Sequence, residues 1–206
     1  MKDSPLLPID YWNELKARYG DKPCIYTTVE HGWAGNYFKQ YDDLEKFNKK
    51  NGTNIRWIYG AEAYWVKDRH ESDRSNCHIV LLARTDKGRK AINKILSIAN
   101  KDGYYARPRI DLELIDQLPY DDVMITTACV AFWNKYDDIA NIVRHLAESF
   151  PHFYLEIQAH DTLEQKELNR RIIQISEELL VPIIAGCDSH VITESQMLDR
   201  DELLKS

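Results

Sequence analysis

Short apolar runs alternate with amphipathic stretches along most of this chain, and this alternation limits the folds that the sequence can form. The apolar runs lie at residues 24–28, 55–60, 78–83, 122–127, 153–158 and 182–187 and have the length of strands. Helical periodicity occurs at residues 36–50, 87–100, 137–149 and 162–180, and a polar helical tail closes the chain. Repeated strand-then-helix units predict an α/β fold with a parallel sheet, either a barrel or a doubly wound open sheet.

The length and composition favour a single globular domain. The chain has 206 residues, of which 44% are hydrophobic, so it can bury one substantial core, and we predict one domain over residues 1–206. No apolar run approaches the roughly 18 residues that a membrane span requires. Residues 1–5 contain no apolar core of a signal peptide. We therefore expect a cytoplasmic protein without membrane partners.

The net charge bears on nucleic-acid binding. Lysine and arginine number 27 against 33 aspartates and glutamates, so the formal net charge is −6. Domains that grip DNA through phosphate contacts are usually basic, because their cations replace the counterions around the phosphates. We expect this domain alone to bind DNA only weakly.

Metal-competent side chains follow four of the predicted strands. His31 comes after the first apolar run, Glu62 after the second, Cys129 after the run at 122–127, and Asp188 and His190 after the last. In parallel α/β folds the carboxyl ends of the strands carry the chemistry, and carboxylate, imidazole and thiolate groups are ligands for zinc and similar cations. Each residue alone has an ordinary alternative, such as helix capping for Asp188 or core packing for Cys129. Their recurrence at four strand ends predicts a metal site, or a former one.

Several segments resemble motifs of the PHP (polymerase and histidinol phosphatase) domain family, in particular its branch at the N-terminus of bacterial DNA polymerase III alpha subunits. The segments are TVEHG at residues 28–32, GAEAY at 60–64, HIVLLA at 78–83, YYARPRID at 104–111, TAC at 127–129, YLEIQ at 154–158 and DSH at 188–190. They occur in the family's order and with compatible spacing over nearly the whole chain.

This resemblance implies a distorted seven-stranded (β/α) barrel of PHP type that binds divalent metal ions at one face. The positions that match the family's metal ligands are His31, Glu62, His78, Cys129, Asp188 and His190, of which Asp188 and His190 are also the expected catalytic residues. Glu62 is expected to bridge metal ions. Because His78 opens its predicted strand, that strand must enter the sheet in an unusual way to bring His78 to the site.

Two departures from the family pattern bear on the metal content. The family opens with a strand that bears a His-x-His motif, whereas the first histidine here is His31, so this first strand is expected to be missing. Glu30 stands where the family usually has Asp. The one ligand group expected to be complete is Glu62, His78 and Cys129. We therefore predict about one zinc ion per chain (with manganese or magnesium as alternatives), or none.

The resemblance also implies a function. It is metal-dependent phosphoester hydrolysis, associated in the polymerase branch with 3′→5′ exonuclease activity, at a site that is weakened or inactive here. The chain would be a truncated or excised domain of a polymerase III alpha subunit involved in DNA replication, with the rest of that subunit and the replisome as partners. Two alternatives stay open, a freestanding phosphoesterase of histidinol-phosphatase type and a non-catalytic structural domain of the polymerase. Residues 105–111 favour the polymerase branch.

A missing first strand would leave two exposed sheet edges. These edges are the apolar runs at 24–28 and 182–187, which carry almost no charge that would discourage pairing with another chain. Either residues 6–9 or a second subunit could fill the gap. Because Pro5 and Pro8 interrupt residues 6–9, we predict a homodimer through the edge strands as the favoured solution.

Overall fold

The computed structural model describes residues 4, 6–72, 74–134 and 138–205, except for the side chains of residues 201 and 203–205. These residues form two compact units. Unit 1 contains the described residues up to Thr27, Gly35–Trp57 and the described residues from Asp188 onward, and unit 2 contains Thr28–Ala34 and Ile58–Cys187. The helices and strands are, in chain order, α1 (Pro8–Tyr19), β1 (Cys24–His31), α2 (Tyr37–Asn51), β2 (Ile55–Trp65), β3 (Cys77–Ala83), α3 (Asp86–Lys101), β4 (Tyr104–Tyr105), β5 (Arg107–Ile110), α4 (Leu112–Ile115), β6 (Val123–Thr126), α5 (Val130–Asn134), α6 (Ile139–Ser149), β7 (Phe153–Gln158), α7 (Leu163–Leu179), β8 (Ile183–Gly186) and α8 (Ser195–Lys205).

Unit 1 is built around α1 and α2. Pro8 begins α1, where the N–H that proline lacks would have no partner within the helix, and the Leu7 amide donates a hydrogen bond to the Asp10 carboxylate at 2.7 Å. α2 ends before Gly52, whose φ of 65° is left-handed, as the Asn51-Gly52 pair predicts. The buried core of this unit consists of Trp12, Tyr26, Leu44, Phe47 and Ile55.

Most of the sheet lies in unit 2. The strand order is β4-β5-β2-β3-β6-β7-β8, and β1 also pairs with β2. The β2–β5, β6–β7 and β7–β8 pairs are parallel, whereas β2–β3, β3–β6 and β4–β5 are antiparallel. Helix α3 packs on β3 and β5, and α6 and α7 pack on β7. The predicted α/β class is confirmed, with parallel and antiparallel strand pairs mixed in one sheet.

The expectation of a parallel sheet is not met at β3, which pairs antiparallel with both β2 and β6. A parallel neighbour requires a crossover connection, usually a helix, and the described residues between β2 and β3 contain none. The chain therefore returns beside β2 in the opposite direction, and Tyr64 lies opposite His78. This reversal is the unusual entry into the sheet that the position of His78 required.

β2 is longer than the sequence predicts, and this changes the position of Glu62. The apolar run ends at Gly60, but the strand continues to Trp65. Ala61, Glu62 and Ala63 are all buried, so both faces of the strand are covered there and the period-two alternation that marks a half-exposed strand is lost. Glu62 thus lies inside a strand and not after its end.

Several elements were not predicted, namely α1, α4, α5 and the β4–β5 hairpin. Pro8 and Ile9 belong to α1, so the idea that residues 6–9 fill a strand position is wrong, because Pro8 starts a helix. The helix predicted at 137–149 is observed as α6 from Ile139, and residue 137 lies outside the described residues.

Two expectations concern the chain as a whole. In the part of the chain that the structure describes, no helix has the length and apolar character needed to cross a membrane. The single domain over residues 1–206 stays a prediction.

Candidate metal centre

Two neighbouring antiparallel strands place Glu62 and His78 side by side. In the β2–β3 register Tyr64 lies opposite His78, and Glu62 lies opposite Val80. Directly opposite residues share a face of the sheet, and residues two apart on one strand share it as well. Glu62 and His78 are therefore diagonal neighbours, and Glu62 Oε1 lies 2.8 Å from His78 Nδ1.

His31 reaches the same carboxylate from the end of β1. Its Nε2 lies 3.4 Å from Glu62 Oε2, so each carboxylate oxygen faces a different imidazole. Gly32 follows with a φ of 62°, and its amide donates to the Glu62 carbonyl oxygen at 2.8 Å. A Cβ at Gly32 would lie 2.6 Å from Pro108 Cγ, so this left-handed turn requires glycine. The turn holds His31 against β2.

The geometry of the three residues suits a small divalent cation. One ligand atom each from His31, Glu62 and His78 can be chosen so that all lie within 4.8 Å of one another. Ligand atoms in a tetrahedral zinc site are roughly 3.3–3.6 Å apart, given bonds of about 2.0–2.2 Å. Glu62 is buried, whereas the two imidazoles are partly exposed, so the group has a charged floor and a rim that solvent can reach.

His78 binds a proton unusually tightly. Burial lowers its proton affinity, but hydrogen bonds to Cys129 and Glu62 and the charges of those two groups outweigh that effect and raise the pKa of His78 to about 10. Cys129 Sγ lies 3.5 Å from His78 Nδ1. This environment favours a positive charge beside Glu62, and a proton or a metal ion can supply it.

The structure brings four of the six predicted ligands into one contact network. His31, Glu62 and His78 form the cluster, and Cys129 joins it through His78. Cys129 follows Ala128, whose φ of 49° is left-handed for a non-glycine residue.

Asp188 and His190 belong to unit 1, and their roles as ligands and catalytic residues stay predictions. His190 Nδ1 donates to the Asp188 carbonyl oxygen at 2.8 Å. Because a carbonyl can only accept, Nδ1 carries the proton in this contact and Nε2 is left as the ring nitrogen that could bind a metal. The Ser4 hydroxyl donates to the His190 carbonyl oxygen at 2.5 Å and so holds this turn.

Two residues beside the cluster were not predicted as site residues. The Tyr64 ring lies 5.6 Å from the His31 ring and 5.4 Å from the His78 ring, measured between centroids. The Arg107 guanidinium carbon lies 5.6 Å from the centroid of the Tyr64 ring. Both residues lie in segments that resemble PHP motifs. Their position beside the cluster, however, follows from the register of β2 with β3 and β5, which the sequence alone does not reveal.

A second polar group lies at the ends of β6 and β7. The Glu156 carboxylate accepts hydrogen bonds from the Thr126 hydroxyl at 2.6 Å and from the Gln158 amide at 3.0 Å. The Thr127 hydroxyl accepts from the Glu156 backbone amide at 2.9 Å. A Cβ at Gly186 would lie 1.9 Å from Glu156 Oε1, so the carboxylate occupies the space that any side chain there would need.

Comparison with known proteins gives a consistent family. The PHP domain family matches residues 25–160. The DNA polymerase III subunit alpha of Borreliella burgdorferi is 29% identical over 187 residues, which cover 84% of this chain and 16% of that protein. The subunit of the same name from Aquifex aeolicus is 33% identical over 186 residues, covering 80% of this chain and 16% of that protein. The chain thus spans about a sixth of the length of these relatives.

One solved structure is similar over most of its length. It comes from Bifidobacterium adolescentis, is provisionally assigned as a metal-dependent phosphoesterase, and covers 96% of this chain and 91% of its own chain with a TM-score of 0.49 and 11% identity.

Proposed function

This chain belongs to the PHP domain family, and from that premise we propose that it is the metal-binding PHP domain of a longer DNA polymerase III alpha subunit, with a site for metal-dependent phosphoester hydrolysis. The observation that carries the proposal is the Glu62 carboxylate, which directs one oxygen to each of two imidazoles. The longer protein in this proposal is inferred from the alpha-subunit relatives, which this chain matches over about a sixth of their length. On the same basis we propose a role in DNA replication, with the rest of the subunit and the replisome as partners.

His31, Glu62 and His78 are the residues that would hold the ion. Imidazole donors favour zinc over manganese and magnesium, which prefer oxygen ligands, and the Cys129 thiol next to His78 favours zinc further. A bound cation would supply a Lewis acid for a phosphate oxygen. The residues themselves orient the ligand atoms, and Glu62 keeps a negative charge at the floor of the site.

We infer a site for about one ion, because the described residues contain one cluster of three candidate ligands. A single ion cannot clamp the attacking and the leaving oxygen at once, as paired ions do. Hydrolysis by the chain alone is therefore expected to be weak, with Asp188 and His190 as the proposed catalytic residues.

A metal-free structural role is the second candidate, and a specific observation favours it. With its raised pKa, His78 is protonated near neutral pH and neutralises Glu62 without any metal. Structural ion pairs perturb pKa values as catalytic sites do. Metal content separates the two candidates.

Elemental analysis of protein purified without chelator tests the proposal. We expect about one equivalent of zinc in the wild type, loss of that zinc in Glu62→Gln, and retention in Glu177→Gln, which removes a similar charge from the exposed surface of α7. Retention of zinc by Glu62→Gln would show that the ion binds elsewhere. A zinc-free wild type that cannot be loaded by dialysis would support the structural role.

We also propose a homodimer through sheet edges. Among the described residues β8 pairs with β7 alone and β1 with β2 alone, and Ile25 on β1 is 61% exposed. Unpaired edges invite pairing with another chain. Light scattering should show a mass that rises with protein concentration, and Ile25→Lys should shift the protein toward the monomer. A concentration-independent monomer contradicts this proposal.

A further inference from the structure

The β4–β5 hairpin places one arginine next to the candidate metal centre. The Arg107 guanidinium lies 5.6 Å from the centroid of the Tyr64 ring, within the range of cation–π contacts. The same ring packs against His31 and His78. A single aromatic ring therefore separates Arg107 from two of the three candidate ligands.

The hairpin that carries Arg107 has a fixed base. Arg109 on the same strand is 2% exposed, and its guanidinium donates to the carbonyl oxygens of Gly103, Glu71 and Arg69 at 3.0, 2.8 and 2.7 Å. Its Cα lies opposite that of Tyr64 in the parallel β2–β5 pair. Pro108 closes against Gly32, where a Cβ would not fit. Arg107 thus extends from an anchored strand and not from a free loop.

Arg107 differs from several other arginines in having no carboxylate partner among the described residues. Arg18, Arg69, Arg84 and Arg89 each form an ion pair with a carboxylate. Within the described part of the chain no carboxylate pairs with Arg107, and the side chain is exposed. The guanidinium N–H groups point outward in the plane of the group, and a stacked aromatic ring does not accept hydrogen bonds from them. These donors are thus available to a ligand.

We propose that Arg107 binds the phosphate group of the substrate at this centre and that Tyr64 is its positioning residue. This inference rests on the proposed hydrolytic function and adds the residue that recognises the substrate. The guanidinium fork matches phosphate oxygens bidentately. The Tyr105 ring lies opposite Arg107 in the hairpin, on the same face, and is 37% exposed, so it can stack on a base attached to that phosphate.

Fluorescence anisotropy with a labelled single-stranded thymidylate oligomer tests the proposal directly. The titration is run at a series of salt concentrations in EDTA, and again in chelator-free buffer with one equivalent of zinc. Arg107→Gln should raise Kd about tenfold and lower the slope of log K against log salt by about 0.7, as expected for one lost phosphate contact on a single strand. Arg171→Gln, which removes an equal charge from the exposed face of α7, should change Kd by less than about twofold.

Two further variants separate charge from geometry. Arg107→Lys keeps the charge but loses the planar fork, so an intermediate Kd is expected. Tyr64→Leu should weaken binding as Arg107→Gln does, and it should add little when combined with that variant. Circular dichroism and thermal unfolding of each variant establish that the fold persists.

The outcomes distinguish this inference from the proposed function. With thymidine 5′-(p-nitrophenyl phosphate) as substrate, Arg107→Gln should raise KM with kcat little changed. If the wild type binds the oligomer through Arg107 but hydrolyses nothing, the inference stands and the hydrolytic function fails. Equal effects of Arg107→Gln and Arg171→Gln, or no binding by the wild type, overturn the inference.

Discussion

Glu62 and Glu156 are carboxylates on strands of the same unit, yet their neighbours give them different chemistry. Glu62 faces two imidazoles, His31 and His78. Glu156 faces a hydroxyl and an amide, from Thr126 and Gln158. Neutral donors satisfy a carboxylate but have no proton to exchange near neutral pH, whereas imidazoles can exchange a proton for a metal ion. The type of donor, more than the depth of burial, separates a candidate metal site from a structural hydrogen-bond group.

The largest expected effect lies on the structural side of this comparison. Gly186→Ala would bring a Cβ to 1.9 Å from Glu156 Oε1 and 2.4 Å from its Cδ, so the carboxylate must leave its two hydrogen bonds. We expect the free energy of unfolding to fall by about 2–3 kcal/mol, measured by urea unfolding. Zinc binding at Glu62 should not change.

A coupled variant and a control sharpen this prediction. Gly52→Ala introduces a Cβ with no atom within 4 Å but at a φ of +65°, and should cost about 1–2 kcal/mol from the left-handed backbone alone. In a Glu156→Ala background the cost of Gly186→Ala should fall below about 1 kcal/mol, because the clashing atoms are gone. An unchanged cost in that background would show that Glu156 is not the obstacle.

The second prediction concerns pH and lies on the metal side. The pKa of His78 is raised from 6.5 to about 10 in the folded protein. A raised pKa means that the folded state holds the proton more tightly, so the stabilisation is present in full below about pH 6.5 and is lost as the pH rises toward 10. Metal-free protein in EDTA should therefore show a Tm that falls over this interval, and the fall should be smaller in His78→Gln.

Zinc binding should release the proton that His78 holds in the metal-free protein. At pH 7–8 zinc must displace it from His78, so calorimetry in buffers of different ionisation enthalpy should record about one proton released per ion bound. Glu156→Gln serves as the control and should leave the release unchanged. Zinc uptake without proton release would mean that His78 is not a ligand.

These contrasts also show which features the sequence could predict. The strand at 78–83 and the helix at 162–180 follow from apolar periodicity, which burial in the core enforces. His31 and Glu62 could be identified by position within motifs. The reversal between β2 and β3 could not, because a charged loop does not reveal the direction in which the chain returns. The contact of Arg107 with Tyr64 depends on the pairing of β5 with β2, which joins residues distant in sequence.

The opening of the chain illustrates a second limit. Pro5 and Pro8 suggested a segment that interrupts regular structure, but proline is also well suited to the first turn of a helix. Pro8 occupies that position in α1, and Trp12 of this helix is buried in the core of unit 1. The local preference of proline was compatible with an irregular segment and with the start of a helix. The packing of the apolar face of α1 in the core of unit 1 favoured the helix.

The smallest expected effect concerns Cys129, which lies at the edge of the metal cluster. Its Sγ is 3.5 Å from His78 Nδ1, close enough for both to bind one ion after a small rotation. A thiolate is a soft ligand that favours zinc over manganese. Cys129→Ser should therefore weaken zinc binding about tenfold and manganese binding by less than about twofold, as measured by competition with a chromophoric chelator. Cys24→Ser, a similar change on β1 in unit 1, should alter neither. Equal losses for both metals would indicate that Cys129 acts only by orienting His78. Unchanged affinities would restrict the ligand set to His31, Glu62 and His78. The two imidazoles alone would then distinguish the surroundings of Glu62 from those of Glu156.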